Sequence, residues 1–282
     1  MEKFICVTCG TRFPASESAP ERCPICEDDR QYVGRSGQQW TTMDQLREEH
    51  HNAFHELAPG ITAIATKPGF AIGQQAHLIQ TEAGNVLWDC IAFLDDPTVE
   101  HIQQLSELKA IALSHPHYYT TINEWSRAFD GVPIYIHRDD SEWVMEMGDA
   151  VTFWDGETLD MLPSSGLTLI RCGGHFPGAA VLHWSAGLDG AGALFSGDTI
   201  QVVADPRWVS FMYSYPNAVP LNAREVQTIV DAVRPFAFER IYGAFGGVVQ
   251  EDGNGAVERS AERYIRAIGD TYRSTGTERN SP

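Results

Sequence analysis

One short segment constrains the fold of this chain more than any other. An apolar run, Ala110–Leu113, ends directly in Ser114, His115, Pro116 and His117. Side chains alternate along an extended backbone, so histidines two positions apart just past a strand point to the same side. Pro116 favours this arrangement because it disfavours helical backbone at the residue before it. Two imidazoles presented together at the end of a strand are suited to bind one metal ion.

A second pattern lies near the N-terminus, where two CxxC pairs are separated by thirteen residues. Four thiolates supplied as two such pairs suit a closed tetrahedral site, most often for zinc and less often for iron. A segment of about 35 residues needs such a metal crosslink, because its hydrophobic core alone is too small to stabilise it. We therefore predict a ribbon over residues 1–36, a linker near Gly34–Gln39 and a larger domain over residues 37–282. The predicted ribbon ligands are Cys6, Cys9, Cys23 and Cys26.

Composition narrows the range of partners. The 282 residues are 43% hydrophobic and 21% charged, with a net charge of −18. Such a charge argues against nucleic acid or an anionic membrane surface as partner, because both need a basic patch. No apolar run approaches the roughly 20 residues of a membrane span, and Met1–Phe4 does not open a signal peptide. We expect a cytoplasmic protein in which the six cysteines are reduced thiols or metal ligands.

The order of predicted elements indicates two packed sheets with helices outside them. The first predicted helix covers Thr41–Leu57, with Thr42 and Gln45 as a capping box. The other predicted helices are Pro97–Ser106, Ile122–Phe129, Asp139–Met147, Asn222–Val233 and Ala256–Tyr272. The predicted strands are Ile61–Ala65, Ala71–Thr81, Asn85–Asp89, Lys109–Leu113, Val132–His137, Val151–Trp154, Thr158–Leu162, Leu167–Cys172, Ala179–Trp184 and Ala191–Ser196.

Four motifs follow one another over roughly residues 60–250. They are Gly73–Ile79 with Leu87–Asp89, Ser114–Thr120, Gly173–Gly178 and Leu194–Thr199. Together they resemble the opening strands, the HxHxDH motif, the later histidine motif and the Gly-Asp motif of the metallo-β-lactamase superfamily. The resemblance implies an α+β fold, an αββα sandwich, which the four-cysteine ribbon precedes. The ribbon resembles that of rubredoxins, with a shorter gap between its cysteine pairs.

The resemblance also implies one set of metal ligands and the loss of another. The implied ligands of the first metal are His115, His117, His175 and Asp198. At the second metal site, the family's motif aspartate falls at Tyr119 and its last histidine at Thr120. The final family histidine has no counterpart in Ile241–Gly247. We therefore predict a zinc ion in the ribbon and one zinc or ferrous ion in the larger domain.

Several other residues receive predicted roles. With one metal, the predicted proton acceptor is Asp198 or a group beside the metal ligands, and Tyr119 or its neighbour Tyr118 is predicted to donate a hydrogen bond to a developing oxyanion. Asp89 is predicted to orient the histidine loop. The aromatic segment that follows Asp198 either borders the substrate pocket or is a packed loop. Its predicted substrate-binding residues are Arg207, which would pair with a carboxylate or phosphate, Trp208, Tyr213 and Tyr215.

Residues outside the motifs favour structural interpretations. His51 and His55 are interpreted as solvated residues of a charged helix face. Cys90 and Cys172 are interpreted as buried small side chains, and His137 as structural.

Three functions stay open from the sequence. The first is a metal-dependent hydrolase acting on a small-molecule ester, thioester, lactone or phosphoester. The second is an iron-dependent redox protein, suggested by a rubredoxin-like ribbon beside this fold. The third is a non-catalytic binding protein. In either the first or the third case, the ribbon offers a surface for a protein partner.

Overall fold

The structure is a computed structural model, and it describes residues 1–269. Its N-terminal part is the four-cysteine ribbon, in which strand β1 (Ile5–Cys6) pairs antiparallel with strand β2 (Trp40–Thr41). A short helix, α1 (Pro24–Glu27), begins at the second cysteine pair. Helix α2 (Met43–Glu49) follows β2. The strand partner of β1 therefore lies beyond the predicted linker.

Two sheets packed face to face, with helices outside them, form the predicted α+β sandwich. The first sheet has seven strands in chain order, antiparallel from β3 to β6 and parallel from β6 to β9. Its strands are β3 (His51–Ala58), β4 (Ile61–Lys67), β5 (Ala76–Thr81), β6 (Gly84–Trp88), β7 (Leu108–Ala112), β8 (Ile134–His137) and β9 (Val151–Trp154). Helices α3 (Asp96–Leu105) and α4 (Ile122–Ala128) belong to this half.

The second half contains a six-stranded sheet and two short hairpins. Its strands are β10 (Thr158–Asp160), β11 (Leu167–Arg171), β12 (Ala180–Trp184), β13 (Ala193–Phe195), β14 (Gln201–Val202), β15 (Val209–Ser210), β16 (Met212–Ser214), β17 (Val219–Pro220), β18 (Arg240–Tyr242) and β19 (Val248–Val249). The sheet order is β10-β11-β12-β13-β18-β19, while β14 pairs with β15 and β16 with β17. The helices of this half are α5 (Ala223–Val233) and α6 (Gly253–Ile268). Within residues 1–269, no helix is both long and apolar enough to cross a lipid bilayer.

Side-chain alternation explains how both faces of each sheet are buried. In β6, Val86 and Trp88 point into the core between the sheets, whereas Leu87 joins the core on the side of α3 and α4. In β12, Leu182 faces the first sheet and Val181 packs with the residues of α5 and α6. Strands buried on both faces read as continuous apolar runs rather than alternating ones.

Three predicted elements differ from the structure. The helix predicted over Thr41–Leu57 was wrong in its second half: α2 ends at Glu49 and the chain continues as strand β3. Pairing with β4 outweighs the helical propensity of this segment, and Phe54 packs against the core. The Thr42–Gln45 capping box was confirmed.

The helix predicted over Asp139–Met147 is instead a 3₁₀ helix over Arg138–Trp143. Local polar contacts explain the change, because the Asp139 amide donates to the His137 ring and the Asp140 carboxylate accepts from the Gly178 amide. The strand predicted over Ala71–Thr81 begins only at Ala76. For the last predicted helix, the proposed end at Tyr272 lies outside the described residues.

The ribbon packs against the loop that follows β7. The backbone amide of Arg12 donates to the Thr120 carbonyl at 3.1 Å. The Arg12 side chain is only 5% exposed and forms ion pairs with Glu124 and Glu146. These contacts hold the first cysteine pair beside the residues that follow His117.

Candidate metal centre and its cavity

Three imidazoles and one carboxylate meet at the ends of the central strands. His115 and His117 follow β7, His175 follows β11, and Asp198 follows β13. All four side chains are buried, and one ligand atom from each lies within 4.8 Å of the others. The four ligands implied by the family resemblance are therefore brought together, although they come from three separate parts of the chain.

Hydrogen bonds select which atoms face the centre of this cluster. The Nδ1 atom of His115 contacts Ser114 Oγ at 2.9 Å, and Nδ1 of His175 contacts the Met212 carbonyl at 3.2 Å. Their Nε2 atoms therefore remain for a ligand, and Nε2 of His115 is buried without a hydrogen-bond partner. His117 presents Nδ1, which lies 3.4 Å from Nε2 of His175.

The spacing of these atoms fits a divalent metal ion. Nε2 of His115 lies 3.6 Å from Oδ2 of Asp198. Zinc bonds to imidazole nitrogen of about 2.0–2.1 Å in a tetrahedral arrangement separate neighbouring ligand atoms by about 3.3–3.4 Å. The chemistry of the donor set, its spacing and the unpartnered nitrogen all fit a bound metal ion.

The metal-facing carboxylate is itself held in place. Oδ1 of Asp198 accepts a hydrogen bond from the Tyr118 hydroxyl at 2.6 Å, which leaves Oδ2 for the metal. The Tyr215 hydroxyl donates to the Asp198 carbonyl at 2.9 Å. Gly197 precedes it with φ of +51°, and a Cβ at this position would lie 2.7 Å from Cβ and Oγ of Ser114. Glycine is therefore required for the close approach of this loop to the histidine loop.

Asp89 orients the histidine loop, as predicted. Its Oδ1 accepts a hydrogen bond from the Ser114 backbone amide at 2.7 Å. Burial raises the pKa of Asp89 to about 8, against the lowering effect of this hydrogen bond. The same carboxyl thus anchors the residue that in turn contacts Nδ1 of His115.

Burial also controls the protonation of the histidines. It lowers the pKa of His115 to about 3, and the positive charge of Arg30 lowers it further in the same direction. Burial and the neighbouring His115 lower the pKa of His175 to about 3, and the pKa of His117 lies well below its usual value for similar reasons. Metal ligation requires neutral imidazole, so the protein holds these rings in the ligating form.

The four cysteines of the ribbon form a second candidate metal site. None of them is disulfide-bonded, and their ligand atoms lie within 4.8 Å of one another. The Sγ atoms of Cys6 and Cys26 are 3.5 Å apart, and those of Cys9 and Cys23 are 3.7 Å apart. Tetrahedral zinc–sulfur bonds of about 2.3 Å imply separations of about 3.8 Å. The thiols therefore have nearly the arrangement that a structural zinc ion requires.

A cavity of about 280 Å³ lies over the histidine cluster. His117, His175 and Asp198 belong to its lining, together with Tyr215. The opposite wall comes from the ribbon segment that follows the second cysteine pair. The remaining lining residues are Arg30, Gln31, Tyr32, Ala71, Ile72, Pro216 and Phe245.

The other predicted site residues are not part of the lining of this cavity. Tyr213 lies under the guanidinium of Arg30, with 5.0 Å from Cζ to the ring centroid. Arg207 is 79% exposed and pairs with Asp205, and with Trp208 it lines a separate surface depression. Tyr119 is buried in the core and lines a narrow gap beside Arg12. The functional roles of Arg207, Trp208 and Tyr119, and a protein partner for the ribbon, stay predictions.

Sequence reasoning missed Arg30. It follows the second cysteine pair by only four residues, so its position in the ribbon carried no sign of a role at the histidine cluster. Its contact with Phe176, at 4.0 Å from Cζ to the ring centroid, joins residues far apart in the chain. No periodicity or motif reports a contact of that kind.

The fold and the cluster define a metal-binding αββα protein, and comparison with known proteins gives its family. Residues 70–255 match the model of the metallo-beta-lactamase superfamily, and the chain belongs to that superfamily. It is 51% identical over 270 residues to Uncharacterized protein YmaE of Bacillus subtilis (strain 168), over 95% of this chain and 97% of that protein.

Solved structures of low identity share the fold. DIM-1 metallo-β-lactamase superposes with a TM-score of 0.58 at 12% identity, over 77% of this chain and 98% of that one. The metallo-β-lactamase FIM-1 from Pseudomonas aeruginosa, solved in a mono-zinc form, has a TM-score of 0.55 at 17% identity, over 75% of this chain and 95% of that one.

Proposed function

We propose that this protein is a hydrolase that uses one metal ion, zinc, bound by His115, His117, His175 and Asp198. The substrate class is a small-molecule ester, thioester, lactone or phosphoester. The observation that carries the proposal is the convergence of four ligand atoms within 4.8 Å beside a cavity that can admit a small molecule. Three nitrogens and one oxygen suit zinc, and a zinc ion that expands to five-coordinate can also take substrate or water.

A single metal follows from the residues at the positions of the family's second site. Tyr119 and Thr120 are buried, at 4% and 2% exposure, and neither offers a carboxylate or an imidazole. Phe245 lies in the segment where the family's final histidine is expected, and it lines the cavity. Among residues 1–269, the two clusters of metal-binding side chains are the cysteine set and the single histidine–aspartate set.

The residues around the cluster have different proposed roles in catalysis. A zinc ion supplies Lewis acidity and lowers the pKa of a water molecule to about 7. Three imidazoles suffice to hold the ion, so Oδ2 of Asp198 would serve either as a fourth ligand or, when it is not bound to the ion, as the proton acceptor, because Oδ1 is occupied by the Tyr118 hydroxyl. Tyr118 therefore orients Asp198, and its burial raises the pKa of its hydroxyl well above the usual value, so it stays a donor. In the ribbon, zinc is the proposed ion and its role is structural.

Metal analysis with a ligand variant tests this proposal. We expect two zinc ions per chain in the wild type and one in His115→Ala, because the cysteine site is unaffected. Hydrolysis of 4-nitrophenyl acetate, a neutral test ester, should fall to background in the same variant. His55→Ala, an exposed position on β3, is the control and should keep both ions and the activity. A folded His115→Ala protein with two zinc ions and undiminished hydrolysis would contradict the proposal.

A further inference from the structure

The ribbon segment Asp28–Tyr32 forms one wall of the cavity over the histidine cluster. Three hydrogen bonds fix it to the loop around β16 and β17. Ser214 Oγ donates to the Arg30 carbonyl at 3.1 Å. Nδ2 of Asn217 donates to the carbonyls of Asp29, at 3.1 Å, and Gln31, at 2.9 Å. The wall is thus held through its backbone, which leaves its side chains to face other groups.

The guanidinium of Arg30 stacks on aromatic rings next to a proposed metal ligand. Its Cζ lies 4.0 Å from the ring centroid of Phe176, the residue after His175, and 5.0 Å from that of Tyr213. Stacking of this kind orients the planar group and leaves its edge available for hydrogen bonds. The side chain is 14% exposed, so this orientation is set by packing rather than by solvent.

Most of the hydrogen-bonding capacity of Arg30 is unused. A guanidinium has five N–H donors. One nitrogen of Arg30 donates to Asp28 Oδ1 at 3.0 Å, whereas its Nε atom is buried without a partner. The neighbouring Gln31 also has a buried Oε1 atom without a partner. Buried polar groups are nearly always hydrogen-bonded, so the unpartnered Arg30 donor calls for an acceptor from outside the protein, either water or a bound molecule.

The charge of this wall contrasts with that of the chain. The protein carries a net charge of −18, which repels anions from most of its surface. Among the cavity-lining residues of the described chain, Arg30 is the one arginine or lysine. Asp198 is the one carboxylate among them, and Tyr118 and the proposed metal engage it. Arg30 is also paired with Asp28, at 3.0 Å, and its remaining free donors are suited to an oxyanion.

We propose that Arg30 binds an oxyanion, a carboxylate or phosphate, of the substrate, so that the ribbon determines substrate specificity. This inference rests on the proposed function, because it takes the cavity to be the substrate site. The substrate then extends from the histidine cluster, where the bond is cleaved, to the ribbon wall, where the anion pairs with the guanidinium. Tyr32 and Phe245, 49% and 43% exposed, border the cavity with apolar surface for the rest of the molecule.

Anion binding by the zinc-loaded full chain tests the inference. Isothermal titration calorimetry compares glutarate, inorganic phosphate and the neutral analogue glutaramide on the wild type, Arg30→Met and Arg47→Met. We expect an anion to bind the wild type, with glutaramide much weaker. Arg30→Met should weaken the anion at least about tenfold, the lower end of what a charge-assisted hydrogen bond contributes. Arg47→Met, which removes an exposed cation on α2, should change the Kd less than twofold.

Each outcome decides a separate claim. The tighter of glutarate and phosphate identifies the chemistry of the anion. Zinc content, measured in every variant, separates loss of Arg30 from loss of the metal. If Arg30→Met does not fold, Arg30→Gln, which is neutral but can still bond to Asp28, carries the same expectation. A wild type that binds neither anion, or a folded neutral variant with unchanged Kd, overturns the inference.

The proposed function fails independently. Ester hydrolysis that does not exceed the His115→Ala background, together with Arg30-dependent anion binding, would refute the hydrolase while the anion site stands. Hydrolysis that depends on His115, together with anion binding independent of Arg30, would refute only the role of the ribbon.

Discussion

Replacement of Tyr118 by phenylalanine probes how the protein prepares its metal ligand. The Tyr118 hydroxyl donates to Oδ1 of Asp198 at 2.6 Å, and both side chains are buried. A bond this short to a carboxylate is typical of a charge-assisted hydrogen bond. Tyr118→Phe removes one oxygen atom and keeps the ring that packs against His115, with 4.6 Å between the ring centroids. The carboxylate then loses the contact that turns Oδ2 toward Nε2 of His115.

Two magnitudes follow from this geometry. Loss of a hydrogen-bond partner that orients a metal ligand typically costs about 10- to 100-fold in metal affinity. That range corresponds to about 1.4–2.7 kcal/mol, which agrees with the 1.5–3 kcal/mol expected for a hydrogen bond to a charged group. Leaving Oδ1 buried and unpartnered should also lower the unfolding free energy of the metal-free protein by about 1–3 kcal/mol. We therefore expect weaker zinc binding and a lower urea midpoint in the same variant.

Zinc competition against a chromophoric chelator measures the first quantity, and urea unfolding measures the second. Tyr242→Phe is a matched control, since Tyr242 is 1% exposed and its hydroxyl is buried without a hydrogen-bond partner. Removal of that oxygen should leave zinc affinity unchanged and should not reduce stability. Tyr118→Phe with zinc affinity within twofold of the wild type would refute the reasoning, because Asp198 would then need no orientation by Tyr118.

Two further variants test stability at positions away from the cluster. Burial lowers the pKa of His77 to about 4, compared with about 6.5 in the unfolded chain. Between these two values the unfolded state binds more protons than the folded state. The unfolding free energy therefore falls as the pH drops from about 6.5 toward 4. His77→Leu should flatten this fall in urea unfolding between pH 6.5 and 4.5, and an unchanged pH slope would contradict it. Arg12→Met should lower the unfolding free energy by about 2–3 kcal/mol, somewhat less than for a fully buried pair, because Glu124 and Glu146 are partly exposed. The exposed pair of Arg47 is the control, and Arg47→Met should cost less than about 0.5 kcal/mol; equal losses in the two variants would refute the role of burial.

The sequence predicted the sandwich because the signals of its strands are local, whereas the ligand set was implied by the resemblance to the superfamily. Strands buried on both faces, such as β6 and β12, appear as continuous apolar runs that a single sequence displays directly. His115 has the extended backbone that Pro116 favours, but the alternation predicted for His117 was wrong: His117 lies in a 3₁₀ helix, Pro116–Tyr118, and the turn of that helix directs its ring. The Thr42–Gln45 capping box is equally local, and it was confirmed.

Other features depend on contacts that no local pattern contains. Strand β3 has helix-forming residues, and only its pairing with β4 at the edge of the sheet makes it extended. The segment 71–75 was predicted as strand, but it leaves the sheet, and Ala71 and Ile72 line the cavity. Arg30 reaches the cavity only because the folded ribbon packs on the sandwich, through contacts that span more than 180 residues at Ser214 and Asn217.

The packing of the ribbon is linked to one of the residues that replace the family's ligands for the second metal. Thr120, where the family has its last motif histidine, is 2% exposed, and its carbonyl accepts the Arg12 amide. A Cβ added to Gly10 would lie 3.3 Å from Cγ2 of Thr120, so the ribbon backbone already approaches this side chain closely. An imidazole is larger than the threonine side chain, and in this geometry it would displace the ribbon from the loop. We therefore infer that the packing of the ribbon excludes a histidine at position 120, in agreement with the proposal of a single metal ion in the larger domain.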